Sequence, residues 1–172
     1  MPDSDSEDFE VAKHAISCLN STPLAVLSTR DKGGVWGAPV HFTHDGEFNF
    51  YAIANSKDGI AKGIKENPNV SLVIVMPPDM SDGFEVGVQI AGRASRLSAM
   101  EIRKMRSQRS MDVTGNKADF FDSGGARTVK GAEGTLVKIA PRLIAYLDKR
   151  YFGSKNRRVS INRLIQLSKY IK

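Results

Sequence analysis

Residues 24–76 read LAVLSTRDKGGVWGAPVHFTHDGEFNFYAIANSKDGIAKGIKENPNVSLVIVM, and this segment carries most of the fold information in the chain. It predicts three strands in succession, LAVLST, VWGAPVHFTH and EFNFYAI, because apolar and β-branched residues recur between turn signals. The RDKGG segment predicts the first turn, and Asp45-Gly46 predicts a tight hairpin before the third strand. A short helix over 57–66 follows and stops at Asn67-Pro68, since proline cannot continue a helix. VSLVIVM at 70–76 is then a fourth strand.

Further elements are predicted on both sides of this segment. Before it, the apolar spacing in EDFEVAKHAISCLN at 7–20 is helical, with acidic residues in the first turn. After it, VGVQIAGRASRL at 86–97 is a long strand whose two glycines predict a bulge. Ser98 and Glu101 form a capping-box pattern that starts a helix over 98–111. The remaining predicted elements are strands at 135–140 and 143–147 and a helix at 159–172, whereas 112–134 has no clear pattern.

Composition excludes several classes of protein. The chain has 172 residues, of which 41% are hydrophobic and 26% charged, as in an average soluble domain. No apolar run approaches the roughly 20 residues that span a bilayer, so no membrane association is expected. Cys18 is the single cysteine, which excludes an internal disulfide and a cysteine-based zinc site. With an acidic, polar start rather than a signal peptide, we expect a cytoplasmic protein.

The net charge of +6 is distributed unevenly along the chain. Residues 138–172 contain ten Lys or Arg and one acid, a charge of +9, which leaves −3 for residues 1–137. A basic tail of this kind can attract an anionic ligand, a nucleic acid or an acidic partner, or can simply be a solvated face. We therefore divide the chain into a domain over 1–147 and a basic C-terminal extension over 148–172 with a terminal helix.

The spacing of the strands predicts the fold class. Six or seven short strands with few helices favour a mainly β protein with peripheral helices, in which an antiparallel sheet closes into a barrel. Closure removes the free sheet edges, which a small domain must otherwise protect.

Few residues carry a recognisable chemical pattern. The chain has no dinucleotide-binding glycine motif, no P-loop, no HExxH and no CxxC, and its three histidines have no metal-ligand spacing, so no metal site and no catalytic residue are predicted. Ser56 and Lys57 stand at a predicted helix start, where backbone N–H groups, a hydroxyl and an ammonium would suit a phosphate. The alternative is an ordinary helix cap beside a solvated lysine.

The order of these elements resembles the flavin-binding split barrel of the pyridoxamine 5′-phosphate oxidase-like family. The resemblance covers Leu24–Leu97 and rests on LAVLST, GAPVHFTHDGEFNFYA, NSK with its helix, IKENPNVSLVIV and VQIAGRASRLS in this order. TLVKIAPRLIAYL at 135–147 is similar to the last barrel strand of the family. The resemblance implies a homodimer of split β-barrels, Greek-key in type, with FMN bound between the subunits.

The resemblance also implies which residues would hold the cofactor. The strand 36–41 would run along the flavin ring and ribityl chain, Ala52 would lie near the ribityl phosphate, and Ser56 and Lys57 would bind the phosphate. Lys62 would add a second cation, since the oxidases have a cation where this chain has Asp58, and Gln89 would make a polar contact. The implied cofactor-binding set is Trp36, Gly37, Ala38, Pro39, Val40, His41, Ala52, Ser56, Lys57, Lys62 and Gln89.

The implied function is that of an FMN-dependent oxidoreductase acting on a small molecule. The tail has no histidine to match the Arg-x-His substrate clamp of the oxidases, so we expect a relative of pyridoxamine 5′-phosphate oxidase rather than that enzyme. Three alternatives stay open: the same fold binding deazaflavin F420 or haem, a non-catalytic FMN-binding or sensor protein, and nucleic-acid binding through the basic tail. The last has the least support, because the tail has few aromatic residues and no known nucleic-acid motif.

Overall fold

The fold is described from a computed structural model covering residues 7–55, 59–107 and 134–169. The predicted phosphate ligands Ser56 and Lys57, with Asp58, lie outside the described residues. So do the stretch 108–133 and the end of the predicted C-terminal helix at 170–172. For Asn55 and residues 105–107 the description is limited to the backbone.

Strands dominate the described residues. The strands are β1 (Leu24–Asp31), β2 (Gly34–His44), β3 (Phe50–Asn55), β4 (Asn69–Val75), β5 (Val86–Arg96), β6 (Gly134–Asp148) and β7 (Arg157–Val159). The helices are α1 (Glu7–Ser21), α2 (Ile60–Glu66), α3 (Ala99–Ser107), α4 (Lys149–Phe152) and α5 (Ile161–Ser168), with a 3-10 turn at Pro78–Met80.

Six of the strands close into an antiparallel barrel. Their order is β3-β2-β1-β4-β5-β6, and pairing of β3 with residues 134–139 of β6 completes the ring, while β7 pairs with residues 144–146 farther along the same edge of β6. The predicted mainly β split-barrel fold class is therefore confirmed. The hairpin turn before β3 also forms as predicted: the Asp45 carboxylate accepts hydrogen bonds from the backbone N–H groups of Glu47 and Asn49.

The core fills the barrel and continues beneath α1 and α5. Its largest fully buried side chains include Phe50, Leu72 and Ile90, which the alternation along β3, β4 and β5 points inward. On the other face of β3, Tyr51 and Ile53 form a second cluster with residues of β6 and α3. The predicted capping box starts α3, since the Glu101 carboxylate accepts hydrogen bonds from both the backbone N–H and the hydroxyl of Ser98 at 2.7 Å.

Four predicted element boundaries were wrong. The strand expected from Glu47 starts at Phe50, because residues 47–49 belong to the turn, in which Phe48 has a left-handed backbone with φ of 58°. The strands expected at 135–140 and 143–147 are one continuous strand, β6, because Pro141 lies next to a β-bulge, one of the positions in a sheet that accept proline. The helix expected from 159 starts at Ile161, since residues 157–159 pair with β6 instead. The helix expected from 57 starts at Ile60, because Gly59 has a left-handed backbone with φ of 75°.

The basic tail packs against the barrel. Asp148 is fully buried and accepts hydrogen bonds from the Tyr146 hydroxyl at 2.7 Å and from the Arg150 guanidinium at 2.8 and 3.0 Å. Farther along the tail, α5 contacts α1, and Arg157 forms an ion pair with Glu7 at 2.8 Å. The division of the chain at residue 147 stays a prediction.

The bulge in β6 leaves no room for a side chain at Gly92 of β5. A Cβ on Gly92 would lie 2.5 Å from the backbone oxygen of Ala140. We expect Gly92→Ala to lower the free energy of unfolding by about 1–3 kcal/mol, because backbone must move to make room. Urea unfolding measures the difference. Gly46→Ala is the matched control, since nothing lies within 4 Å of its Cβ position, and equal losses in both variants would contradict the prediction.

Candidate cofactor-binding site

The free edge of β2 is the most distinctive feature of the predicted site. Residues 34–41 of β2 pair with β1 along one edge, whereas pairing with β3 begins only at Phe42. Within the described residues, no strand pairs with the other edge over 34–41. Backbone N–H and C=O groups along this edge are therefore available to a ligand, since each strand directs its backbone groups to both sides. This is where the barrel is split.

The side chains of the predicted residues on β2 divide between two environments. Ala38 and Val40 are buried in the core, so only their backbone could contact a ligand. Trp36, Gly37 and Pro39 are exposed, and Trp36, near the start of β2, is 60% exposed. His41 is half-buried on the outer face of the sheet.

The remaining predicted residues are spread over three elements. Ala52 is fully buried and lies between Phe42 of β2 and Val137 of β6. Lys62 is exposed on α2, where its ammonium lies 3.9 Å from the Glu66 carboxylate. The cofactor contacts of Ala52 and Lys62 stay predictions, as do those of Ser56 and Lys57.

Close packing fixes α2 against β1. A Cβ on Gly63 would lie 2.5 Å from the hydroxyl oxygen of Thr29, a buried residue of β1. Only a glycine lets the helix approach the strand this closely. The segment between Asn55 and Gly59, which contains Ser56 and Lys57, thus connects the end of β3 to a helix held firmly against β1.

Gln89 lies apart from β2. The register across the sheet runs from Pro39 through Val26 and Val73 to Gln89, so three strand spacings, about 14 Å, separate Gln89 from β2. The Gln89 side chain accepts a hydrogen bond from Asn156 of the tail at 3.1 Å, and its contact with the cofactor stays a prediction. This contact joins residues 67 positions apart, and no local pattern could have predicted it.

An apolar outer face borders the split, and the sequence analysis missed it. Val26 and Val75 are 44% and 62% exposed, although strand residues of this size normally cover a core. The set that we call the apolar outer face consists of Leu24, Val26, Val35, Pro39, Val73, Val75 and Leu143. The runs LAVL and VIVM, apolar on both faces of their strands, are the signal that could have revealed it.

The described residues show neither a metal site nor a membrane helix. No three His, Cys, Asp or Glu side chains there converge as metal ligands would. No helix among these residues has the length and hydrophobicity needed to cross a membrane. His14 stacks on Tyr151 with ring centroids 4.5 Å apart, and His44 stacks on Phe48 at 5.3 Å, so both rings have structural contacts.

The fold and the split edge define a class, the split β-barrels of the pyridoxamine 5′-phosphate oxidase type. The sequence model of the pyridoxamine 5′-phosphate oxidase family matches residues 12–147, more than half of the chain. The chain belongs to this family. Comparison with the sequences of curated proteins gives no significant match.

Solved structures of similar fold come from several bacteria. A protein related to general stress protein 26 from Clostridium acetobutylicum aligns with a TM-score of 0.63 and 14% identity, covering 91% of this chain and 98% of that one. A haem-binding protein from Mycobacterium smegmatis aligns with a TM-score of 0.62 and 16% identity over 94% of this chain, which spans 61% of that protein. The haem storage protein HutZ from Vibrio cholerae aligns with a TM-score of 0.53 and 14% identity, covering 74% of this chain and 87% of that one. At these identities the likeness concerns the fold alone.

Proposed function

We propose that this protein binds FMN along the free edge of β2, between the subunits of a homodimer, and acts as an oxidoreductase on a small molecule. The observation that carries the proposal is the edge of β2 at 34–41, with which no strand of the described part of the chain pairs, beside the apolar outer face. An isoalloxazine ring has a polar edge that needs hydrogen-bond donors and a broad apolar surface. The backbone of 37–40 would supply the donors, and apolar side chains would cover the ring.

The apolar outer face supports the proposed homodimer. Contiguous exposed apolar residues are uncommon on monomers and usually mark an interface. A second copy of this chain could bury the same face on both subunits around a twofold axis. A cofactor at the edge of that face would then be enclosed by both subunits, which excludes water from its ring.

Bound FMN would supply the redox chemistry, accepting or donating a hydride equivalent. This chain would bind and orient the ring through the β2 backbone. The Ser56 hydroxyl and Lys57 ammonium would hold the phosphate at the end of β3. Trp36, exposed at the strand tip, would be free to cover one side of the ring or of the substrate.

Haem is the second candidate, because two proteins of similar fold are named for binding or storing it. A haem iron needs an axial ligand such as histidine. Of the three histidines, His41 lies half-buried on the outer face next to the split, in a suitable position. A deazaflavin, or FMN held without catalysis in a sensor, would use the same edge. We propose the cytoplasm as the compartment, consistent with the buried free thiol of Cys18.

An absorbance spectrum of the purified protein, with mass spectrometry of the released cofactor, tests this proposal. We expect oxidised-flavin bands and about one FMN per subunit. A Soret band that His41→Ala removes would establish haem instead, and a deazaflavin mass would change the redox chemistry. A colourless protein that does not bind added FMN would refute the proposal.

Removing the phosphate ligands is expected to weaken FMN binding. We predict that Ser56→Ala with Lys57→Gln raises the Kd for FMN at least tenfold, since a hydrogen bond to a charged group contributes about 1.5–3 kcal/mol. Quenching of flavin fluorescence measures the Kd. Lys65→Gln is the matched control because Lys65 is exposed on the neighbouring helix α2. Equal Kd values in both variants and the native protein would remove these two residues from the site.

A further inference from the structure

The cations of the tail and those of the barrel differ in how their charge is compensated. Three tail cations form ion pairs with acids: Lys149 with Glu85 at 2.7 Å, Arg150 with Asp148 at 2.8 Å and Arg157 with Glu7 at 2.8 Å. A second set of cations belongs to β5, β6 and α3, and none of its members forms an ion pair within residues 7–55, 59–107 and 134–169. This set, which we call the basic patch, consists of Arg93, Arg96, Arg103, Lys138 and Arg142.

The strand register brings three of these cations into a row on the outer surface of the sheet. Arg142 is the extra residue of the bulge in β6, and its guanidinium donates a hydrogen bond to the Asn69 side chain of β4 at 3.3 Å. Asn69 pairs directly with Arg93 of β5. Arg93 in turn pairs with Ala140 of β6, which makes Lys138 its diagonal neighbour, and diagonal neighbours lie about 7–8 Å apart. The row therefore crosses β4, β5 and β6.

Two further arginines extend the patch at the same end of the barrel. Arg96 is the last residue of β5, and α3, which carries Arg103, follows almost directly; both arginines are exposed. Lys138 interacts electrostatically with Glu101 of α3, but the Glu101 carboxylate is bound by Ser98 and forms no ion pair with the patch. The patch contains no residue of the apolar outer face, so a second copy of the chain on that face need not cover it.

We propose that the basic patch binds the sugar-phosphate backbone of a single-stranded nucleic acid. A row of uncompensated cations can contact successive phosphates through charge-assisted hydrogen bonds. The outward positions around the row are polar or small, namely Asn69, Ser71, Ala91 and Ser95, whereas a protein partner would need an apolar centre. Interfaces with nucleic acids are instead polar and positively charged. This proposal goes beyond the proposed cofactor function and does not depend on which cofactor the protein binds.

The shape of the surface favours a single strand over a duplex. A duplex is read by a helix or a two-stranded ribbon that enters its groove, whereas an open sheet surface binds an extended single strand. In the described parts of β4, β5, β6 and α3, no aromatic ring is exposed on which a base could stack. The contacts would therefore be with the backbone, and binding should show little preference for sequence.

Fluorescence anisotropy of a labelled strand of twenty thymidines, titrated with the full-length protein at several salt concentrations, tests this proposal. We expect saturable binding whose association constant falls with salt, with a log–log slope of about −2 to −3.5, since each contacted phosphate contributes about −0.7. Arg93→Gln with Arg142→Gln should raise the Kd at least tenfold and make this slope shallower by about 1.4. Lys155→Gln with Lys169→Gln is the matched control: it removes the same charge from exposed positions in the tail and should change the Kd less than threefold.

Three results would overturn the proposal. The first is the absence of saturable binding at low salt. The second is an equal effect of the tail variant, which would indicate general attraction to a basic protein rather than a site on the barrel. The third is displacement of the labelled strand by poly-glutamate of the same length as readily as by unlabelled thymidine strand, which would indicate an acidic protein partner. Thermal unfolding checks that each variant is folded, and repeating the titration with added FMN should leave the Kd unchanged, which separates this site from the proposed cofactor site.

Discussion

Replacing Arg150 with methionine is expected to lower the free energy of unfolding by about 3–5 kcal/mol. Asp148 is fully buried, and the Arg150 guanidinium is its neighbouring cation, at 2.8 Å. Without the Arg150 guanidinium, the buried Asp148 carboxylate would lose its counter-charge and two side-chain hydrogen bonds, at 2.8 and 3.0 Å. Urea or guanidinium unfolding at neutral pH measures the change.

Lys149→Met is the matched control for this prediction. Lys149 forms an ion pair with Glu85 at 2.7 Å, but both side chains are exposed, so its loss should cost less than about 1 kcal/mol. Similar losses in the two variants would mean that Asp148 does not depend on Arg150.

The pH dependence of stability gives a second readout of the same contact. Burial by itself raises the pKa of the Asp148 carboxyl, but hydrogen bonds from Arg150 and Tyr146 outweigh burial and hold this pKa below its ordinary value. A lowered pKa stabilises the native state above the unfolded pKa, and this stabilisation is lost as the pH falls through the folded pKa. The native protein should therefore lose the stabilisation by ionised Asp148 in acid. The difference in the free energy of unfolding between the native protein and Arg150→Met should become smaller below about pH 4. A difference in the free energy of unfolding that stays constant below this pH would mean that the Asp148–Arg150 contact does not cause it.

Placing an aspartate at Val26 is expected to break the proposed homodimer. Val26 lies in the apolar outer face between Pro39 and Val73, and its side chain is already 44% exposed in one subunit. The monomer should therefore still fold, whereas an unpaired charge within the interface should raise the dimer Kd at least 100-fold, about 2.7 kcal/mol. Light scattering after size-exclusion chromatography measures the mass, and FMN affinity should fall with the dimer.

Met100→Asp is the control for this second prediction. Met100 is 78% exposed on α3, outside the apolar outer face, so the same charge there should leave the dimer and its FMN affinity unchanged. A native protein that is monomeric at micromolar concentration, or a Val26→Asp variant that stays dimeric, would show that this face is not the subunit interface. If the variant became monomeric but kept its FMN affinity, the cofactor would belong to one subunit alone.

The sequence was sufficient to predict the barrel and its family because the decisive signals are local. Three such signals depend only on residues close in sequence: the alternation of apolar residues, the Asp45-Gly46 turn and the Ser98–Glu101 capping box. The strands, the turn and the cap are all present in the structure. The order of these signals was enough to identify the family, which the match over residues 12–147 confirms.

The predicted site was less accessible to sequence reasoning. The sequence predicted that residues 36–41 lie on one strand. It did not predict that Ala38 and Val40 face the core while Pro39 faces outward beside Val26. The resemblance implied a polar contact from Gln89 to the cofactor, and this stays a prediction; within one subunit the register puts Gln89 three strands from β2 and next to Asn156. Side-chain alternation shows which residues share a face, but the choice of face depends on what the rest of the sheet packs against.

By itself, then, the sequence determined the strands, the turns between them and the family. Tertiary structure decided that no described strand pairs with the second edge of β2 over 34–41, that β6 runs unbroken through a bulge at Arg142, and that the tail returns as β7. The physical reason is that strand pairing is a contact between distant segments. Each backbone carries the same donors and acceptors along both edges, so which edges pair, and which one remains free for a ligand, is settled only when the barrel closes.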